Sequence, residues 1–277
     1  MVSGDEPHNV AQDAQPWIVW LQDDLRCGGH PALSFAAARG PVLPVFICND
    51  SAQRRAPGAA ACWWLRASLS ALAEDIAEHG GRLVIRSGVA ERVLVDLVRE
   101  TNAAGVCALR VYDAAGIDEQ KAVAESISDH ALFETLKGDV LIEPGELLTK
   151  TEAPYRVFTP FWRALSERMK SEPLMDTDLS RASWYTGKLK SETSAAISVA
   201  QEAFGWTAGL AETWQPGERS ADQALQSFTS DALATYEEDR NIPAVVGTSH
   251  LSPHLRFGEI GIRQAWDAVA ELRVGSA

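Results

Sequence analysis

Positive charge is scarce in this sequence. Lysine and arginine number 25 against 38 aspartates and glutamates, a formal net charge of −13 over 277 residues. That balance excludes a general nucleic-acid coat, which needs clustered cations, and leaves room for only a local basic groove. Cysteine is scarce too. Cys27, Cys48, Cys62 and Cys107 form no CxxC pair and no zinc spacing, so buried free thiols are expected rather than a disulfide framework. No apolar run reaches the length of a membrane span. Residues 1–16, MVSGDEPHNVAQDAQP, have neither the charged start nor the apolar centre of a signal peptide. They predict a disordered tail on a cytoplasmic protein. Also missing are the glycine-rich dinucleotide fingerprint, the P-loop, the GxSxG elbow and any Cys–His catalytic pattern. No catalytic residue can be identified, and no metal is expected: His250 and His254 stand four apart without a third ligand.

Apolar residues are plentiful, 46% of the chain, and their spacing changes along it. From Trp17 to about Gly145, short β-branched runs alternate with longer helical ones. Strands are expected at Trp17–Leu21, Val42–Ile47, Arg82–Ile85, Val106–Val111 and Val140–Ile142. Runs that are apolar throughout suit a sheet covered on both faces. Helices are expected near Pro31–Arg39, Gly58–Glu78, Val89–Thr101 and Asp118–Leu136. In the second, Cys62, Leu65, Leu69, Leu72 and Ile76 make one apolar stripe, and His79-Gly80-Gly81 ends it. The alternation predicts an α/β domain over residues 17–145, a doubly wound parallel sheet with flanking helices. Ligands of such sheets sit at the carboxyl ends of the strands, here at Asp23–His30 and Tyr112–Gly116.

Residues 146–215 read as a connecting segment. Its Arg181, Lys188 and Lys190, with Trp184 and Tyr185 between them, fit a solvated linker pinned by two aromatics, the alternative being a small nucleic-acid patch. Residues 216–277 read as the first helices of an all-α domain: Glu218–Glu238, with Ala221, Leu225, Phe228, Ala232 and Leu233 on one face, and Ile260–Leu272.

Between those helices lies Gly247–Ile260, GTSHLSPHLRFGEI. Gly247 allows an unusual backbone angle, and Thr248, Ser249 and Ser252 supply three hydroxyls within five residues. Ser252 before Pro253 is placed as an N-cap followed by a favoured first helical residue. Two readings stay open: the hydroxyls only cap the helix and fold the turn, or they and the free N–H groups hold a phosphate or diphosphate. Tyr236 and Arg240, four apart at the end of one helix, can face one cleft.

Several segments together resemble the DNA photolyase and cryptochrome family. Ile18–Arg26 with Pro31-Ala32-Leu33 looks like its first strand and loop, and Val42–Ile47 like its second strand. Tyr155–Trp162 is similar to the segment after its α/β domain. Trp214–Glu218, Tyr236 with Arg240–Pro243, and Gly247–Ile260 are similar to the start of its flavin-binding domain. The resemblance implies FAD, with Tyr236, Thr248, Ser249, His250, Leu251 and Ser252 at the first flavin-contacting positions and Arg240 at a position that touches DNA phosphate. It implies light-driven electron transfer from reduced FAD to cyclobutane pyrimidine dimers in DNA, the alternatives being cryptochrome-like signalling or a non-catalytic nucleotide-binding remnant. The chain departs from the family at Gln22-Asp23-Asp24, where Arg-Arg-Asp or Arg-Gln-Asp is usual, and at Gly29-His30, where Asp-Asn is usual. Tyr112–Gly116 lacks the Asn and Glu that hold a folate antenna in some members, which speaks against folate and leaves the type of any second chromophore open. Family members continue for roughly as many residues again, so the expectation is a truncated flavin domain with little or no repair activity. The helices' exposed apolar face is then expected to pack on the sheet domain, to drive self-association or to leave the chain unstable.

Overall fold

The computed structural model describes residues 14–49, 56–171, 177, 179–197, 202 and 205–274. Most of the expected tail, residues 1–13, lies outside the described residues.

Five parallel strands form the sheet: β1 (Trp17–Leu21), β2 (Val42–Asn49), β3 (Val84–Gly88), β4 (Gly105–Leu109) and β5 (Leu132–Leu136), in the order β3-β2-β1-β4-β5. Helices α1 (Pro31–Ala37) and α2 (Ala59–Glu78) cover one face, where Val19, Leu21, Phe46 and Cys107 meet Leu33, Trp64 and Leu72. Helices α3 (Ala90–Thr101) and α4 (Ala114–Ile127) cover the other, where Ile18, Trp20, Val45 and Val106 meet Leu94 and Val123. This is the doubly wound α/β arrangement. The connections change face between β1 and β4, so the loops after those two strands flank a crevice at the carboxyl edge.

The first four strands lie where the apolar runs place them, within three residues at either end. The fifth does not. Val140–Ile142 is no strand; Val140 N–H closes a turn on the Gly138 carbonyl. The edge strand comes from the end of the expected Asp118–Leu136 helix. That helix stops at Ile127, residues 128–131 turn, and Leu132–Leu136 then pairs with β4. An edge strand is covered less fully, Leu132 being 60% exposed, so LFETL lacks the continuous apolar run of the inner strands. On α2 the buried stripe runs through Trp64, Ser68, Leu69, Leu72 and Ile76, with Cys62 and Leu65 only half-buried.

Among the described residues, six helices follow: α5 (Phe158–Ser171), α6 (Ala208–Thr213), α7 (Glu218–Ser227), α8 (Tyr236–Asp239), α9 (Ser252–Arg256) and α10 (Ile262–Val274). Periodicity does not predict α5, because it buries little beyond Leu165 and Met169 while Phe158 stays exposed. The expected Glu218–Glu238 helix is broken by a π-helical turn over Phe228–Ala232 and a 3₁₀ turn over Leu233–Thr235. Such turns change the angular register, and Tyr236 stays largely solvent-facing while Ala221 and Leu225 are buried. These two, with Leu251 and Ile260, make the small core of the helical part. The linker is pinned as its aromatics suggest. Val42 donates to the Ser183 carbonyl and Tyr185 donates back to Val42, while Trp184 packs against Gly81 so closely that a Cβ there would overlap its ring. Arg181, Lys188 and Lys190 are exposed. Among the described residues no helix is long and apolar enough to cross a membrane.

Candidate functional site

The loop after β1 is the hinge of the molecule's chemistry. Arg26 is 2% exposed, and every nitrogen of its guanidinium is engaged. Nη1 and Nη2 pair with the two Asp139 carboxylate oxygens at 2.7 and 2.8 Å, Nη1 also reaches the Gly258 carbonyl at 3.0 Å, and Nε and Nη2 hold the carbonyls of Gly28 and Gly29. A buried guanidinium is tolerated only when saturated in this way. The departures from the family pattern in this loop are locally compensated. His30 stands at the usual Asn position and caps α1 through Nδ1, which accepts the Leu33 N–H. Its Nε2 therefore carries the proton and donates to Asp24 at 3.1 Å.

The helical part grips this loop from outside. Glu218, at the start of α7, accepts the N–H groups of Cys27 and Gly28 at 2.6 and 2.7 Å. Burial raises the Glu218 carboxyl above its ordinary range, and the two N–H donors only partly offset this. Leu25 donates to the Phe257 carbonyl. Gly258, at φ +63, lies against Asp23 and Asp24 so closely that any Cβ would collide with their backbone. The Cys27 thiol is pushed up to about 12 by burial, so it is not a nucleophile; none of the four cysteines forms a disulfide.

Between loop and helices lies a cavity of about 350 Å³, lined among others by Arg26, Lys137, Asp139, Glu218 and Arg263. A second, of about 580 Å³, opens at the carboxyl ends of β4 and β5, with Tyr112, Gln120 and Phe133 in its wall. There the Tyr112 hydroxyl donates to Glu143 at 2.8 Å, and burial followed by that bond raises the phenol to about 12.

The expected site residues fall beside this junction. Gly247 does not take an unusual angle, since its φ is not positive. What it provides is room: a Cβ there would lie 2.6 Å from that of Asp239, so the loop packs on the end of α8. The left-handed residue is His250, at φ +54. Thr248, His250 and Ser252 are exposed, Ser249 is half-buried and Leu251 is buried. Ser252 is not the N-cap. Leu251 takes that position with no side-chain capping bond, and Ser249 Oγ accepts the Leu251 N–H at 3.4 Å instead. The His250 angle is what displaces the cap: it turns the chain one residue early, so Ser252 is already helical. Of the three hydroxyls, two are left pointing to solvent rather than spent on the helix. Tyr236 and Arg240 share one surface, the guanidinium lying 5.6 Å from the ring centroid.

Behind the loop is a buried aromatic cluster that residue spacing does not reveal. Trp64 on α2 stacks on Phe257 and meets Trp214 and His254 edge-on. Its Nε1–H donates to Glu259 Oε1 at 2.9 Å, and His254 Nδ1 lies 2.5 Å from Oε2. His254 is thus a partner of Glu259, a role that explains its place four residues after His250. Trp266 packs on Trp162 with centroids 5.2 Å apart, and Phe158 extends this exposed aromatic row.

Residues 17–178 match the family described as DNA photolyase. The chain is 41% identical over 261 residues to a deoxyribodipyrimidine photo-lyase of Agrobacterium fabrum, covering 93% of this chain and 53% of that protein. It is 30% identical over 262 residues to cryptochrome-2 of Arabidopsis thaliana, covering 90% and 42%. The solved structure of a bacterial class III photolyase from Agrobacterium tumefaciens superposes with a TM-score of 0.85 at 36% identity, over 97% of this chain and 58% of that one. The chain thus spans about half the length of these relatives. The family model covers more than half of the chain, and the chain belongs to the DNA photolyase family.

Proposed function

We propose that this chain carries the sheet domain and the first flavin-contacting segment of a photolyase-type flavoprotein, with the FAD diphosphate at Thr248–Ser252. The observation that carries the reading is the loop itself. It is held in one shape by buried neighbours, Gly247 packing against Asp239, yet Thr248 and Ser252 face solvent. Exposed hydroxyl and N–H donors suit the oxygens of a diphosphate. With only five residues, α9 adds little through its dipole, so the hydroxyls carry the recognition. Tyr236 flanks the same surface, and Arg240 offers a cation to a DNA phosphate beside it.

When bound and reduced, the flavin supplies the light-driven electron that splits a cyclobutane pyrimidine dimer in DNA. This chain's residues anchor the diphosphate end and, through Arg240, orient the DNA backbone. For a second chromophore, the cavity with Tyr112 and Phe133 offers an aromatic wall at the carboxyl edge of the sheet.

The test is to load the purified chain with FAD, remove the excess and record the visible spectrum. Retained flavin that falls on replacing Thr248 and Ser252 with alanine supports the reading; no retention, or retention indifferent to both changes, sinks it. The 30%-identical cryptochrome supports a second reading, signalling without repair. Selective binding of dimer-containing DNA favours the lyase over that alternative.

A further inference from the structure

We propose that Glu259 and His254 are positioning residues for the hydroxyl loop, tying its shape to Trp64 on α2 of the sheet domain. The inference rests on the flavin reading only for what the loop binds; the coupling itself stands on geometry.

Glu259 is wholly buried. It accepts one hydrogen bond from the Trp64 indole and one from His254 Nδ1, and losing either strands a carboxylate away from water. The positions of α2 and α9 are thereby locked together. A five-residue helix has no stability of its own, so α9 takes its place from this junction, and the loop enters directly on its first turn. The middle of the loop leads back to the same tryptophan. His250 lies 5.8 Å from the Trp214 ring, and Trp214 lies 5.7 Å from Trp64. The left-handed angle of His250, costly for a residue with a Cβ, is held between these anchors, with Leu251 buried beside Ile260. The middle of the loop and its α9 end therefore refer to one side chain of the sheet domain, and the hydroxyls are ordered before any ligand arrives, which spares the ordering cost on binding.

Three variants of the full chain test this: His254→Leu, which removes the donor; His254→Asn, whose side-chain amide places a donor near the Nδ1 position; and Trp64→Phe, which keeps a ring and removes only the indole N–H. The first readout is the His250 ring resonance in NMR spectra, displaced in the wild type by the Trp214 ring current. It should move toward that of a solvent-exposed histidine in His254→Leu and Trp64→Phe and return in His254→Asn. The second is the FAD dissociation constant. It should weaken about tenfold in His254→Leu, as for loss of one charge-assisted hydrogen bond, and recover to within about threefold in His254→Asn. An unmoved His250 resonance in a folded His254→Leu overturns the proposal, as does His254→Asn behaving like His254→Leu. Should both disruptive variants fail to fold, the wild type decides: a Trp64 indole N–H that exchanges freely with water rules the junction out, and a protected one with a Trp214-shifted His250 upholds it. Absence of FAD binding by the wild type would refute the flavin reading and leave the NMR result to judge the coupling.

Discussion

The sheet domain and the helical part are built by different means. In the sheet, Ile18, Val19, Leu33, Leu69, Leu94, Leu97 and Val106 are completely buried, from strands and helices that cover one another on two faces. The helical part has only a small cluster of its own, Ala221, Leu225, Leu251 and Ile260. It is otherwise held by polar contacts to the loop after β1 and by Trp64. One region packs itself; the other is positioned. From the sequence, the apolar face of the helices is expected to pack on the sheet domain, drive self-association or leave the chain unstable. Packing on the sheet domain accounts for Phe257 and Trp214, whereas Val246 remains exposed at 77%.

The largest effect separating the regions should come from the sheet core. Leu94→Ala removes a fully buried side chain and should cost about 3 kcal/mol, lowering the urea midpoint of the whole chain by every probe. Gly258→Ala should act on the junction alone. Its φ of +63 and its contact with Asp23 mean a cost above about 1 kcal/mol, spent on undocking residues after Thr213. Protease should then cut the helical part while the sheet keeps its circular dichroism. Equal loss of both regions would show that they unfold as one unit.

Glu218→Gln is subtler, and its sign depends on pH. The folded carboxyl is raised, chiefly by burial, so the folded state keeps a proton that the unfolded chain has released. The stability Glu218 contributes is full below the ordinary glutamate range and falls as pH rises toward the raised folded value. Gln does not titrate. Wild type should therefore exceed Glu218→Gln by more at about pH 4 than at about pH 7, with a difference on the order of 1 kcal/mol, read from paired urea titrations.

The smallest effect is expected at Ser252. A capping serine replaced by alanine costs about 1 kcal/mol, but Ser252 makes no capping bond, so Ser252→Ala should change stability by less than about 0.5 kcal/mol. Flavin affinity should fall all the same. A full capping loss would return Ser252 to the role its place before Pro253 suggests.

The inner strands and α2 were legible because burial on both faces writes itself into consecutive residues. Strand β5 was not, since Leu132–Leu136 is half solvated and its spacing passes for a helix end. The hydroxyl loop stood out by composition, yet which hydroxyl caps and which faces solvent turned on the single backbone angle of His250. Arg26 and Glu259 carried no local signal at all. A lone arginine or glutamate looks alike in sequence whether it is solvated or locked in a core.

By itself the sequence determined the doubly wound sheet, the resemblance to photolyases and the loop to examine. Tertiary structure alone decided how the two regions meet. Arg26 finds Asp139 across 113 positions, and Trp64 finds Glu259 across 195. Periodicity records what each residue buries against its near neighbours, whereas a buried charge is permitted only by the distant partner that saturates it, and that partner is known only once the chain has folded.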